Sequence, residues 1–186
     1  MAKKNKTKYA LLGVLNTMSG SGYDIKKFCD SSISYFWNEN YGHIYPVLQK
    51  MEDEELVTKQ VEQTDGRPSK NVYSITEKGR VELDNWLMLP VEPEHGRSEL
   101  LLKIFWSKNV PVEALIEKFQ HIKEVSEEML VQYSMIKDSL MAHKDEIDKM
   151  NLVLWISTVN YGKHGSEAKI KWCLETIKSL EEIEGL

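Results

Sequence analysis

The chain has 186 residues, 41% of them hydrophobic, and a formal net charge of −5. That length and apolar content suffice for one domain or two small ones. The overall negative charge argues against a protein that coats nucleic acid along its whole surface. Residues 1–80 contain 12 Lys/Arg and 10 Asp/Glu, a net charge of +2, which leaves 12 Lys/Arg and 19 Asp/Glu, a net charge of −7, for residues 81–186. This asymmetry favours localised binding of nucleic acid by the N-terminal half.

Membrane and secretory classes are disfavoured. No stretch approaches the roughly 18 apolar residues that a membrane-spanning helix needs, and the basic N-terminus precedes a mixed segment rather than a signal-peptide core. Cys29 and Cys173 lie far apart within apolar patterns, which predicts buried thiols rather than a disulfide. We therefore expect a cytoplasmic protein without membrane contact.

Two helices are predicted before residue 40. A basic tail over residues 1–7 precedes an apolar helix over residues 9–18. Ser21, with Asp24 three residues later, has the pattern of a capping box that opens a second helix. Helical spacing turns an apolar face of this second helix towards the core and leaves Lys26 outside, as a candidate contact to a DNA backbone.

The link over residues 31–38 contains two bulky aromatic residues, Phe36 and Trp37. They either fill the core of the N-terminal domain or line a ligand pocket, and core filling is the favoured role. In the second case Trp37 would be the effector-binding residue.

Residues 41–50, YGHIYPVLQK, are predicted to form a recognition helix. Proline lacks a backbone N–H and is tolerated in the first turn of a helix, so Pro46 places the helix start near residues 42–43. The apolar residues that recur at helical spacing and face the core are Val47, Leu48, Met51 and Leu56; the residues left to face outward are Tyr41, His43, Gln49 and Lys50. Such a helix can contact base edges and phosphates, although an ordinary surface helix fits these ten residues equally well.

The next segment predicts a β-hairpin. Residues 57–63 and 71–76 are short and β-branched, and the first run alternates as if one face were more buried than the other. The turn between them, over residues 64–70, places Arg67 and Lys70 on an exposed tip. A helix followed by a hairpin with a basic tip is the element order of a winged helix-turn-helix.

A helix over residues 77–89 and a proline-bracketed stretch at 90–96 follow. We therefore expect a DNA-binding domain over residues 1–90, a hinge over 91–96 and a helical dimerisation domain over 97–186. Residues 98–107 are nearly all apolar and are predicted to be buried.

A long helix beginning after Pro111 carries a heptad seam in which only Ser126 interrupts the apolar set. The seam residues predicted to mediate dimerisation are Leu115, Phe119, Ile122, Met129, Tyr133, Ile136 and Leu140. The helix that covers this seam could come from later in the same chain, from another subunit, or from both. Residues 147–161 are predicted to be buried, and Ser166 to cap a last helix. A monomeric bundle is the alternative to a dimer.

Chemistry-bearing motifs are missing from the sequence. The five histidines are scattered, and no HExxH, CxxC, GxSxG, P-loop or GxGxxG pattern occurs. The acidic run at residues 52–55 ends a helix and is interpreted as a solvated face. We expect neither an enzyme nor a bound metal or cofactor.

Several runs of the sequence resemble the PadR family of transcriptional regulators. They are YALLGVL at 9–15, SGYDIKKF at 21–28, HIYPVLQKME at 43–52, GRPSKNVYSIT at 66–76 and TEKGRVELDNWL at 76–87. The rear half resembles the longer family members, in which a C-terminal helical domain builds the dimer. The resemblance implies a mainly α fold with an N-terminal winged helix-turn-helix domain, a two-stranded wing and a C-terminal all-α dimerisation domain.

The resemblance also implies a function. The implied function is to bind a pseudo-palindromic operator in double-stranded DNA as a homodimer, usually as a repressor. In phenolic-acid-responsive members a small aromatic acid bound between the domains releases the DNA. The DNA-binding role carries over to Tyr41, His43, Tyr45, Gln49 and Lys50 on the helix and to Arg67, Ser69 and Lys70 on the wing. The alternative is a winged-helix scaffold that binds protein and has no DNA role.

Overall fold

The computed structural model of the chain describes residues 6–38, 40–63, 69–92 and 96–184. It divides into a front unit, Met1–Glu94, and a rear unit, His95–Leu186. The front unit contains α1 Lys6–Thr17, α2 Gly22–Ser32, α3 Tyr41–Asp53, β1 Val57–Glu62, β2 Lys70–Ile75 and α4 Glu77–Leu87. The rear unit contains α5 Glu99–Phe105, a 3₁₀ turn at Ser107–Asn109, α6 Val112–Ala142 and α7 Lys149–Glu184. The predicted mainly α architecture with a two-stranded wing is confirmed.

The front unit is built around one apolar cluster in which α1 is central. α1 packs against α2, α3, α4 and β2, and its Leu11 and Leu12 are fully buried beside Ile44 and Leu48 of α3. Burial of each such side chain contributes about 1.5–3 kcal/mol to stability. The Tyr9 ring stacks on Trp86 at a centroid distance of 4.3 Å, which attaches α1 to α4. The apolar face predicted for the recognition helix is thus the face that enters the core.

A sharp reversal joins α3 to the wing. Glu55 has a φ of 59°, in the left-handed region. The backbone N–H of Leu56 donates to the Met51 carbonyl and that of Glu55 donates to the Glu52 carbonyl, each at 2.9 Å. These two bonds form a Schellman motif, which satisfies the last carbonyls of the helix and returns Leu56 to the core.

The start of α4 closes on the same reversal. The Thr76 hydroxyl donates to the Leu56 carbonyl at 3.0 Å and accepts from the Gly79 N–H at 3.0 Å, so Thr76 caps α4 and holds the end of α3. A Cβ atom at Gly79 would lie far inside van der Waals contact with the Leu56 carbonyl oxygen. Glycine at this position therefore permits α4 to approach the reversal.

The wing is an antiparallel pair in which Val57 lies opposite Ile75 and Glu62 opposite Lys70. The predicted alternation holds where Val57 is buried and Lys59 is half-buried, but Val61 is exposed because the hairpin extends beyond the core there. Gly20 forms an isolated β-bridge with Tyr73 that the sequence analysis missed. Its N–H donates to the Tyr73 carbonyl at 3.1 Å and its carbonyl accepts from the Tyr73 N–H at 2.9 Å.

The rear unit is an antiparallel pair of long helices. The Phe119 ring of α6 meets Trp172 of α7 edge-on at 5.2 Å, and Tyr133, further along α6, meets Gly162, earlier on α7. The seven predicted seam residues of α6, and Ser126 among them, are all buried or half-buried. They face a matching heptad on α7 formed by Leu152, Ile156, Val159, Lys163, Ser166, Ile170, Cys173, Ile177 and Leu180.

Three predictions for the rear unit were wrong. Ser166 does not cap a helix but is buried within α7, which is continuous from residue 149 to 184. Residues 147–161 are not buried throughout, because only one face of α7 packs on α6 and Val153, Leu154 and Tyr161 remain exposed. Residues 98–107 are also mostly uncovered: Ser107 is buried, but α5 has no buried residue, and Phe105 and Trp106 are 77% and 74% exposed.

Within the part of the chain that the structure describes, no helix is both long and apolar enough to cross a lipid bilayer.

Candidate nucleic-acid interface

The recognition helix α3 begins slightly before its predicted start. The Asn40 side chain accepts from the Gly42 N–H at 3.0 Å and caps the helix at Tyr41. Pro46 is therefore the sixth helical residue rather than a first-turn residue, and its missing N–H leaves the Gly42 carbonyl without the usual intrahelical donor. The backbone carbonyl of Asn40 also accepts from the N–H groups of His43 and Ile44, so Asn40 satisfies three N–H groups of the first turn.

The outward face of α3 carries the predicted polar and aromatic side chains. His43, Gln49 and Lys50 are exposed, and Tyr45 is 50% exposed. Tyr41 lies in the first turn, but its side chain lies outside the described residues. On the opposite face Ile44, Val47, Leu48 and Met51 are buried. Ile44, which the sequence analysis did not include in the apolar face, is fully buried.

Acidic side chains at the end of α3 form hydrogen bonds with Gln49 and an ion pair with Lys50 of the same helix. The Gln49 amide donates to Glu52 at 3.2 Å and to Asp53 at 3.1 Å. Lys50 lies 3.7 Å from Glu54, and both side chains are solvent-accessible. The run at residues 52–55 is therefore a set of ion-pair and hydrogen-bond partners rather than a purely solvated face.

At the wing, Ser69 and Lys70 are exposed, and Arg67 lies outside the described residues. The Lys70 ammonium lies 3.7 Å from Asp24 and 3.8 Å from Glu62. Asp24 completes the predicted capping box, accepting from the Ser21 N–H at 2.9 Å and from its hydroxyl at 2.7 Å. These hydrogen bonds, with Lys70 nearby, lower the pKa of the Asp24 carboxyl. The outer end of the wing thereby contacts the start of α2.

Two predictions for α2 and the following link need correction. Lys26 was expected to point outward, but only 12% of its side chain is exposed and its ammonium pairs with Asp30 one turn later. Long aliphatic stems often lie along apolar surface in this way. Phe36 does not fill the core, because the turn after α2 leaves it 54% exposed, whereas Trp37 is half-buried.

The prediction that both cysteines are buried is confirmed, since Cys29 and Cys173 are 1% and 0% exposed. Burial raises the pKa of the Cys173 thiol. Among the residues that the structure describes, no group of three His, Cys, Asp or Glu side chains is arranged to hold a metal ion.

The sequence profile of the transcriptional regulator PadR-like family matches residues 11–85, and that of the virulence activator alpha C-terminal family matches residues 96–181. The chain belongs to the PadR family. It resembles the longer PadR-type regulators, and the predicted absence of enzymatic function is confirmed because this is a family of transcriptional regulators.

Three similar proteins illustrate the match. The probable transcriptional regulator Rv1176c of Mycobacterium tuberculosis is 28% identical over 184 residues, which cover 94% of this chain and 97% of that protein. The negative transcriptional regulator PadR of Bacillus subtilis is 35% identical over 101 residues, or 53% of this chain and 55% of that protein. The virulence activator AphA of Vibrio cholerae has a structure with a TM-score of 0.73 and 28% identity, covering 95% of this chain and 98% of that chain.

The fold of Bacillus subtilis PadR is also similar in two complexes. Its complex with operator DNA gives a TM-score of 0.83 at 22% identity, covering 96% of this chain and 99% of that chain. Its complex with p-coumaric acid gives a TM-score of 0.76 at 23% identity, covering 97% and 99%. At these identities the likeness shows the PadR fold alone.

One contact near the interface was missed from the sequence. Gly22, the first residue of α2, is buried, and a Cβ atom there would lie 2.6 Å from Cε1 of Tyr45. Glycine directly after a helix N-cap was the only available signal, and it does not identify the group that approaches.

Proposed function

We propose that this PadR-type regulator is a sequence-specific DNA-binding homodimer that represses transcription from a pseudo-palindromic operator. The observation that supports this function is that α3 has one buried face and one exposed face. Its apolar face is fixed in the front core, while His43, Tyr45, Gln49 and Lys50 point outward beside the wing. A helix held in this way can enter a major groove as a rigid body. A regulator that acts on operator DNA would work in the cytoplasm.

The cations of the interface are available to phosphates at small cost. Lys50 is 71% exposed and its pair with Glu54 is a solvent-accessible contact between residues four apart. Such pairs contribute less than about 1 kcal/mol, so exchange for a phosphate is favourable. The Lys70 side chain is 51% exposed, and we propose that Lys70, Ser69 and Arg67 contact the DNA backbone beside the groove. Lys26, which is largely covered, has a smaller expected role.

A matched pair of lysines tests the DNA contact. Lys171 of α7 is 78% exposed and lies 3.8 Å from Glu175, four residues later, so it reproduces the setting of Lys50 away from α3. Lys50→Gln is expected to weaken binding to the promoter of the protein's own gene and to lower the salt slope by about one unit. Lys171→Gln should leave both unchanged. Fluorescence anisotropy between 50 and 200 mM salt measures the slopes, and equal slopes for the two variants would remove Lys50 from the interface.

We propose that self-association uses the uncovered face of α7. Met150, Val153, Leu154 and Tyr161 are exposed and project from one side of the helix, opposite its contact with α6. We call these four residues the outer α7 stripe. The seam residues first expected to form the dimer pack against α7 of the same chain, so the stripe is an exposed apolar surface that remains available to a partner. Pairing of two copies about a two-fold axis would allow their two α3 helices to enter successive major grooves of one duplex.

Two valines test this assignment. Val153→Asp places a charge in the outer α7 stripe, whereas Val81→Asp places one at another exposed helical position, on α4. Light scattering is expected to give about 43 kDa, twice 21.6 kDa, for the wild type and Val81→Asp, and a mass near that of the monomer for Val153→Asp. A wild-type protein that stays monomeric even on DNA would contradict the dimer.

The proposals that this protein represses transcription and that an effector releases it from DNA rest on its similarity to Bacillus subtilis PadR. Bacillus subtilis PadR is named a negative regulator and forms a complex with p-coumaric acid. We propose that a small aromatic acid binds near Trp37 and weakens DNA binding. Titration with a panel of aromatic acids should quench tryptophan fluorescence in the wild type and less in Trp37→Phe. An equal response from both proteins would exclude Trp37 as the effector-binding residue.

The scaffold alternative is favoured by one observation, the exposed apolar surface of α5 formed by Leu101, Leu102, Phe105 and Trp106. Such a surface is typical of a protein-binding site. If no retarded DNA band forms at low salt with the promoter of the protein's own gene, the scaffold becomes the better explanation.

A further inference from the structure

The start of α2 lies directly under a side chain of the recognition helix. A Cβ atom at Gly22 would lie 2.6 and 2.8 Å from Cε1 and Cζ of Tyr45 and 3.1 Å from its hydroxyl oxygen. Non-bonded carbon atoms do not approach this closely. The Tyr45 ring therefore occupies the volume that any other residue at position 22 would use, and Tyr45 is 50% exposed.

We propose that Gly22 is a positioning residue for operator recognition, because its missing side chain sets the direction in which the Tyr45 ring leaves α3. The inference deepens the proposed function and rests on it, since Tyr45 acts there as a DNA contact. Contact with the backbone of α2 removes rotamers that the ring would otherwise adopt on an exposed helix. A side chain already held in its bound direction loses less entropy when it meets a base.

The backbone at Gly22 is held from both sides, so it cannot retreat from an added methyl group. Gly20 is bonded to Tyr73 through two backbone hydrogen bonds, and Ser21 is bonded to Asp24 through the capping box. The mobile partner in the contact is the far end of the Tyr45 side chain, and Gly22→Ala is expected to displace it.

Gly22→Ala should preserve the fold. Gly22 does not have a positive φ, and alanine is favourable in a helix. Gly13→Ala is the control, because a Cβ atom there meets nothing within 4 Å and Gly13 lies on α1. Both variants are expected to unfold within a few degrees of the wild type. If Gly22→Ala unfolds earlier, adding Tyr45→Ala should restore the unfolding temperature, since the clash is with that ring; a loss that persists would overturn the inference.

A double-mutant cycle measures the coupling. The probe is a duplex selected by the wild-type protein from a random library. Gly22→Ala and Tyr45→Ala are each expected to weaken binding about 10-fold, in line with the loss of one base contact. In the Tyr45→Ala background, Gly22→Ala should change affinity less than about two-fold, because no ring remains to be displaced. Gly13→Ala should bind as the wild type does.

A repeated selection gives the readout that a purely structural glycine would not change. Gly22→Ala is expected to alter base preference at the same operator positions as Tyr45→Ala. Wild-type affinity and preference in Gly22→Ala, or additive losses in the double variant, would overturn the inference and leave the proposed function intact. A wild-type protein that selects no duplex would instead overturn the proposed function, and the positioning role with it.

Discussion

The two units of the chain bury their apolar residues very differently. Of the buried hydrophobic side chains among the described residues, 15 lie in the front unit and four in the rear unit. The front unit closes its helices and wing around one cluster, whereas the rear unit pairs two long helices along a single seam. Each helix of a pair has one covered face, so the rear unit leaves its other apolar residues in solvent. The front unit has the core of an independent domain. The rear unit has exposed apolar surface, and we propose that a second copy of the chain covers this surface.

Gly79→Ala is expected to have the largest effect of the substitutions that test this comparison. The added methyl would meet the backbone carbonyl of Leu56, which is fixed by the Thr76 hydrogen bonds and cannot rotate away. We expect a loss of about 3 kcal/mol in the free energy of unfolding of the front unit. Gly13→Ala, in open space on α1, should raise stability by about 0.5–1 kcal/mol. Urea unfolding measures both, and similar midpoints would contradict the close approach.

Gly162→Ala is the corresponding change in the rear unit and should cost less. A Cβ atom there would lie 2.6 Å from Cε1 of Tyr133, which is the movable end of a side chain rather than backbone. We expect a net loss of about 1 kcal/mol, since the better helix propensity of alanine offsets part of the strain. Gly165→Ala meets nothing within 4 Å and should be stabilising. Thermal unfolding at fixed protein concentration compares the two variants.

Glu55→Gly should stabilise the front unit. A left-handed non-glycine residue costs about 1 kcal/mol, which glycine avoids. The ion pair that is lost, Glu55 with Lys78 at 3.0 Å, is exposed and contributes little. Glu55→Ala removes the same ion pair but keeps the strain, and it should not be more stable than the wild type. A gain in Glu55→Ala equal to that in Glu55→Gly would mean that strain is not the cause.

The smallest expected effect is the pH dependence that Asp24 confers. Its folded-state pKa is lowered by hydrogen bonds from Ser21 and by Lys70, so its charge stabilises the fold above the unfolded pKa. That contribution is lost as the pH falls from about 4 through the lower folded value. At neutral pH the wild type should be more stable than Asp24→Asn by less than about 1 kcal/mol. Urea unfolding of both proteins from pH 7 to pH 2.5 should show the difference shrinking; a constant difference would assign it to hydrogen bonding alone.

Predictions that depended on neighbours along the chain were the accurate ones. The capping box at Ser21 and the start of α6 after Pro111 depend on residues within one helical turn. The burial of α5 and the outward direction of Lys26 were wrong because they depend on surfaces supplied by distant segments. The prediction that Ser166 caps a helix was wrong for a related reason. The sequence does not distinguish a serine inside a helix from a serine at its start unless the packing partner is known.

By itself the sequence determined the order of elements, their caps, the heptad period of α6 and the PadR family, since each is encoded by residues close together or by recognisable runs. Only the tertiary structure decided what covers each face. It paired the α6 seam with α7 of the same chain, joined Gly20 to Tyr73, and placed the Tyr45 ring on Gly22. The physical reason is that hydrogen-bonded caps and periodicity are local, whereas burial and close contact depend on which distant segment of the chain packs against a given face.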